Sequence, residues 1–137
     1  MKNHFTYLFS STTLGLLSLK NRLVRSATFE GKADENGHPT ELNLDFYRRL
    51  AEGGVGLIIT GLAYPEKEDK LPRALNLEDD SYLDLLSKVQ AAIHSVGNEC
   101  KVVIQIGHTG RQVPLRIDRR PVAPSPNFGT FHGQDAT

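Results

Sequence analysis

Residues 101–111 read KVVIQIGHTGR. Val102, Val103, Ile104 and Ile106 form a short, nearly unbroken apolar run with a β-branched bias. Such a run fits a strand buried on both faces, as in a parallel sheet. Gln105 interrupts it, and an amide there needs partners, because an unpaired buried amide costs roughly 1–3 kcal/mol. Gly107 and Gly110 free the backbone to turn. They place His108 and Arg111 at the carboxyl end of the strand, where ligands bind in parallel α/β folds.

Upstream of this strand the pattern alternates. Leu83, Leu86, Val89, Ile93 and Val96 mark an amphipathic helix stopped by Gly97. Before it, residues 62–76 are charged and irregular, with two prolines. Val55 to Thr60 reads as a strand, apolar except for Gly56 and Thr60. The helix ahead of that strand carries Leu42, Phe46 and Leu50, joined by Tyr47 and Ala51. Thr40 suits its N-cap, Glu41 its positive end, and Gly53-Gly54 its stop. Residues 31–40 are a loop with turn signals at Asn36-Gly37 and Pro39. Leu23 to Phe29 forms the first strand, and its polar Arg25, Ser26 and Thr28 suggest that its far end faces a site or solvent. Residues 5–24 break into short extended pieces around Gly15, with Leu14, Leu16 and Leu19 as apolar positions, and predict a hairpin.

The order is strand–helix–strand–helix–strand, which implies a parallel sheet with right-handed crossovers. Residues 113–137 hold four prolines and no helical period, and read as an extended loop or tail, long for a compact domain. Three parallel strands leave two unpaired edges. On these grounds the chain reads as an incomplete α/β domain spanning residues 1–137.

Composition narrows the partners. The 137 residues carry a net charge of zero, with an isoelectric point near 7.0, which argues against nucleic acid or an anionic membrane. No apolar run approaches the ~20 residues of a membrane span. A single cysteine, Cys100, precludes an internal disulfide and suits a reducing cytosol. The expected location is cytoplasmic and the expected partner a small molecule.

Four segments in order resemble the start of the old yellow enzyme family of FMN-dependent oxidoreductases. They are LKNRLVRSAT (19–28), LAEGGVGLIITG (50–61), AAIHSVG (91–97) and IQIGHTGR (104–111), followed by PVAPS (121–125). The resemblance implies a (β/α)₈ TIM barrel with FMN at the carboxyl ends of the strands, and a leading hairpin that closes the amino-terminal mouth. A complete barrel takes roughly 250 residues, so this chain supplies about three of its strand–helix units. The resemblance also implies reduction of FMN by NADH or NADPH and hydride transfer to an activated alkene or similar acceptor. The family's substrate-binding His/His or His/Asn pair, tyrosine proton donor and phosphate grip would lie on later strands, so no catalytic residue is assigned here. The chain alone is expected to be inactive, completed by the rest of the barrel or by a homo-oligomer.

What the resemblance leaves to this chain is one wall of the flavin pocket. Gln105 resembles the glutamine that pairs with the flavin's pyrimidine edge, which an amide suits because it offers both a donor and an acceptor. A glutamine satisfied by neighbouring backbone is the alternative on spacing alone. Ser26, Ala27, Thr28 and Phe29 fall where many members carry a Ser-Pro-Met-Cys-like run whose backbone touches the ring. Ala27 stands in place of a common proline, and Phe29 where some members have a thiol, so no cysteine tuning is expected. Leu62 aligns with a smaller residue whose backbone meets the flavin.

Other residues have plainer readings. His108 on spacing alone fits a base or a metal ligand, but no second ligand lies at metal spacing, so a structural or supporting histidine is expected and no metal. His94 reads as structural. Gly107 to Gly110 lacks the Lys-Ser/Thr of a phosphate loop and reads as a strand-exit turn. Arg111, Arg116, Arg119 and Arg120 read as solvated loop charge. Two further readings are a non-catalytic module that keeps only the wall, and a doubly wound nucleotide-binding domain. The latter needs a glycine fingerprint after the first strand, and SATFEGKAD is not one.

Overall fold

Apolar periodicity and glycine punctuation resolve into eight elements in the computed structural model, which describes residues 5–66, 71–97, 99–110 and 125. The expected tail and the arginines from Arg111 onward lie outside the described residues. β1 (Thr12–Leu14) and β2 (Leu17–Leu19) form the expected hairpin, antiparallel, turning at Gly15 with φ 59°. Of its expected apolar positions only Leu19 is buried; Leu14 and Leu16 are exposed.

β3 (Val24–Arg25), β4 (Leu57–Tyr64) and β6 (Lys101–Ile106) form a parallel sheet with β4 in the centre. β5 (Leu75–Asn76) adds a short parallel pair to β4 at Ala63 and Tyr64. Ala63 also pairs with Ile106 of β6, so β5 lies on the β3 side of β4. Helices α1 (Glu41–Glu52) and α2 (Ser81–His94) cover one face of this sheet. The core there joins Tyr47 and Ala51 of α1, Val89 and Ile93 of α2, Ile58 of β4 and Cys100. A second cluster, Ala33, Ala63, Leu75 and Leu86, fills the space toward the carboxyl ends. His94 ties the end of α2 to the start of β6 through the Cys100 carbonyl at 3.2 Å. No described helix is long and apolar enough to cross a membrane.

Several expectations need correction. The first strand is two residues long, not seven; beyond Arg25 the chain leaves the sheet. The second strand does not end at Thr60 but continues to Tyr64, because β5 and β6 flank its far half. α1 buries Asn43, Tyr47 and Ala51, one residue round from the Leu42–Phe46–Leu50 stripe; Phe46 and Leu50 pack at the margin and Leu42 is 61% exposed. α2 ends at His94, with Leu83 and Val96 exposed. Thr40 does stand at the N-cap of α1 as expected: its N–H donates to Asn43 Oδ1 at 3.2 Å and its hydroxyl to the Lys32 carbonyl at 2.6 Å. β6 is not buried on both faces. Val102 and Ile104 pack under the helices, but Val103 is 45% exposed. Alternation along the strand puts Val103 and Gln105 on the opposite, open face.

Candidate functional site

The carboxyl ends of β3, β4 and β6 come together on that open face. Up to Ile59 the two central strands run in simple register, Ile58 opposite Val102 under the helices and Ile59 opposite Val103 on the open side. Between Ile59 and Leu62 the register shifts by one. Thr60 and Gly61 together face Ile104, which is a β-bulge, and a bulge re-aims every later side chain of its strand. Without it Leu62 would share the helix face with Ile58 and Thr60. With it Leu62 pairs with Gln105 and turns to the open face.

The bulge is held chemically. The Gln105 N–H donates to the Thr60 hydroxyl at 3.2 Å, and that hydroxyl donates to the Gly61 carbonyl at 2.9 Å. Thr60, fully buried, thus supplies the acceptor that the displaced ladder withholds. From the α1 side, the Gly61 N–H donates to Tyr47 Oη at 3.2 Å. The Glu30 carboxylate lies beside the same Gly61 and close enough to the Tyr47 hydroxyl for its charge to act on it. Glu30 is the least expected group here: its side chain is 7% exposed and its Oε1 lies 3.9 Å from Arg25 Nη2. Burial lifts the Glu30 carboxyl above its ordinary range, against the pull of Tyr47, its own amide, Arg25 and Gly61. Burial, and next the charge of Glu30, hold the Tyr47 hydroxyl well above its usual value.

The segment 26–29 crosses beside this bulge. The Thr28 carbonyl lies so near Gly61 that a β-carbon there would come within 2.8 Å of it, and within 2.0 Å of Glu30 Oε2. Arg25 Nη1 donates to the Ser26 carbonyl at 2.7 Å and to the Thr28 hydroxyl. Ser26, Thr28 and Phe29 are exposed. The Leu62 side chain leans over Gly107, where an added β-carbon would fall 2.1 Å from Leu62 Cδ2. The structure therefore brings Ser26, Ala27, Thr28, Leu62 and Gln105 to one end of one sheet. The Gln105 side-chain amide has no hydrogen-bond partner among the described residues. His108 stands just beyond, its Nδ1 accepting the Gly110 N–H at 2.8 Å and its Nε2 4.0 Å from Glu66 Oε2, a strand-exit turn as expected.

Sequence reasoning missed Glu30, Tyr47 and Thr60. A glycine beside a threonine inside an apolar strand is the signal for the bulge. An acid five residues after the last β3 strand residue gives no signal of burial without its partners.

The model of the NADH:flavin oxidoreductase / NADH oxidase family matches residues 7–135. The chain belongs to that family. Among curated relatives it is 38% identical over 135 residues to an NADH oxidase of Thermoanaerobacter brockii, covering 95% of this chain and 20% of that protein. It is 33% identical over 122 residues to an NADPH dehydrogenase of Bacillus cytotoxicus, covering 88% of this chain and 34% of that protein. Among solved structures, the old yellow enzyme homologue of Zymomonas mobilis superposes with a TM-score of 0.76 at 26% identity, over 94% of this chain and 38% of that one. Morphinone reductase superposes with a TM-score of 0.77 at 25% identity, over 96% of this chain and 35% of that one. The chain thus spans about a fifth to two fifths of these relatives, and its fold is the amino-terminal part of an old-yellow-enzyme barrel, as the four segments imply.

Proposed function

We propose that this chain forms the amino-terminal flavin wall of an FMN-dependent oxidoreductase that uses NADH or NADPH. When bound, FMN would take a hydride from the nicotinamide and deliver it to an activated alkene or a similar small acceptor. The observation that carries the reading is Gln105. Its amide stands on the open face, in register with Leu62, with donor and acceptor both free of described partners, in a chain of the flavin oxidoreductase family. Such an amide matches a ring edge that alternates N–H and C=O groups. Ser26, Ala27 and Thr28 offer backbone along the ring, and Phe29 and Leu62 offer apolar cover that excludes water. The chain holds and orients the cofactor in this reading; the proton donor and the substrate pair belong to later strands of the barrel, so residues 1–137 alone would not turn over.

Titration of the flavin-free full-length protein with FMN tests this. Gln105→Ala is expected to raise the dissociation constant about three- to tenfold, the worth of one hydrogen bond at roughly 0.5–1.5 kcal/mol, and to shift the flavin potential. An unchanged constant and potential would remove Gln105 from the site.

A further inference from the structure

Glu30 has no part in the wall just described, yet among the described residues it is a carboxyl buried against it, its side chain 7% exposed. We propose that Glu30 is a positioning residue: with Tyr47 and the Gly61 N–H it clamps the β4 bulge, and so sets Leu62 and Gln105 in register on the flavin-facing side. The inference rests on the function proposed above only for the word flavin; the clamp itself stands on the geometry.

Three observations converge. The Gly61 N–H donates to Tyr47 Oη at 3.2 Å, and the Glu30 carboxylate lies beside the same glycine, so two side chains from distant parts of the chain meet at the bulge. A β-carbon at position 61 would sit 2.0 Å from Glu30 Oε2 and 2.8 Å from the Thr28 carbonyl. The glycine is therefore required by the Thr28 carbonyl, backbone that cannot move aside, and the Glu30 carboxyl occupies the space between the 26–29 segment and β4. Third, Glu30 Oε1 has no hydrogen bond among the described residues and faces Arg25 Nη2 at 3.9 Å. Arg25 also holds the Ser26 carbonyl and the Thr28 hydroxyl. One buried carboxyl thus touches β3 through Arg25, α1 through Tyr47 and β4 through Gly61. An amide of the same shape keeps an acceptor oxygen beside Tyr47 Oη and Gly61, whereas an apolar side chain leaves that buried polar corner without one.

The test compares Glu30→Gln and Glu30→Leu in the full-length protein by two readouts. The first is amide hydrogen exchange at Gly61 and Gln105 in flavin-free protein; the second is the FMN dissociation constant. Glu30→Leu is expected to speed exchange at both amides about tenfold while the Thr12–Leu14 strand keeps its rate, and to weaken FMN binding about three- to tenfold. Glu30→Gln is expected to stay within about threefold of the parent in both. Should Glu30→Leu fail to fold, Tyr47→Phe removes the other half of the clamp and is read in the same way. Unchanged exchange at Gly61 and Gln105 in the leucine variant, or a glutamine variant that behaves like it, would overturn the clamp. Faster exchange with unchanged FMN affinity would overturn the positioning role. Parent protein that binds no FMN would refute the proposed function instead, leaving the exchange measurement to decide the clamp.

Discussion

Gly37 and Gly54 adopt nearly the same left-handed backbone, φ 89° and φ 87°, in opposite surroundings. A β-carbon on Gly54 meets nothing within 4 Å. One on Gly37 would fall 2.5 Å from Asn76 Cβ, 2.9 Å from Asn76 N and 3.2 Å from the Ala74 carbonyl. Gly37 is pressed there because its carbonyl accepts the Asn76 N–H at 3.1 Å, which seats the 31–40 loop on β5. Alanine in the left-handed region costs about 1–2 kcal/mol, and both substitutions carry that cost. Overpacking against backbone that cannot move aside adds about 1–3 kcal/mol, at Gly37 alone. Gly37→Ala should therefore lose about 2–5 kcal/mol and Gly54→Ala about 1–2 kcal/mol. The gain from a stiffer unfolded chain is common to both and cancels in the comparison. Urea midpoints of the two full-length variants, at an unchanged slope, measure the difference. Equal losses would refute the close seating of this loop on β5.

Thr60→Val keeps the side-chain volume but removes the acceptor of the Gln105 N–H; Gln105 exchange should quicken by roughly five- to 150-fold, matching about 1–3 kcal/mol for the orphaned group, whereas Thr60→Ser should leave it unchanged, and equal rates in all three proteins would dismiss the hydroxyl's role. For Glu30 the folded proton affinity is raised by burial, so its contribution to stability is whole below the ordinary glutamate range and is lost as pH rises through the raised folded value. Glu30→Gln removes that slope, and the stability of the variant relative to the parent should climb as pH rises above the ordinary glutamate range; a gap that stays constant with pH contradicts the assigned burial effect. Residues 1–137 made alone should self-associate or remain partly unfolded, because β6 pairs only with β4 among the described residues and an open parallel edge is a template for pairing. Sedimentation showing a compact monomer, with slow exchange throughout β3, β4 and β6, would show that this part of the barrel stands without its neighbours.

The alternation of strand and helix was legible in the amino-acid sequence because it is written in local periodicity, the i, i+4 spacing from Phe46 to Leu50 and the β-branched run from Val102 to Ile106. So were the stops at Gly54 and Gly97, with φ 87° and φ 129°, since only glycine adopts such angles freely. The parallel sheet and the barrel family followed from that order and from the four segments in register. Local pattern does not say which neighbour an element meets. It therefore misplaced the buried stripe of α1 by one residue, since Tyr47 is drawn inward by Glu30 and Gly61, partners far along the chain. It also gave β6 two buried faces where one is open, because an apolar run carries no information on how many layers cover it. The Thr60-Gly61 pair hints at a bulge, but its register shift was decided by tertiary structure. A one-residue shift costs nothing in periodicity, yet it turns Leu62 from the helix layer to the side of Gln105. That turn required one hydroxyl to meet the Gln105 N–H and another, from Tyr47, to meet the Gly61 N–H, and such partnerships exist only once strands and helix are side by side.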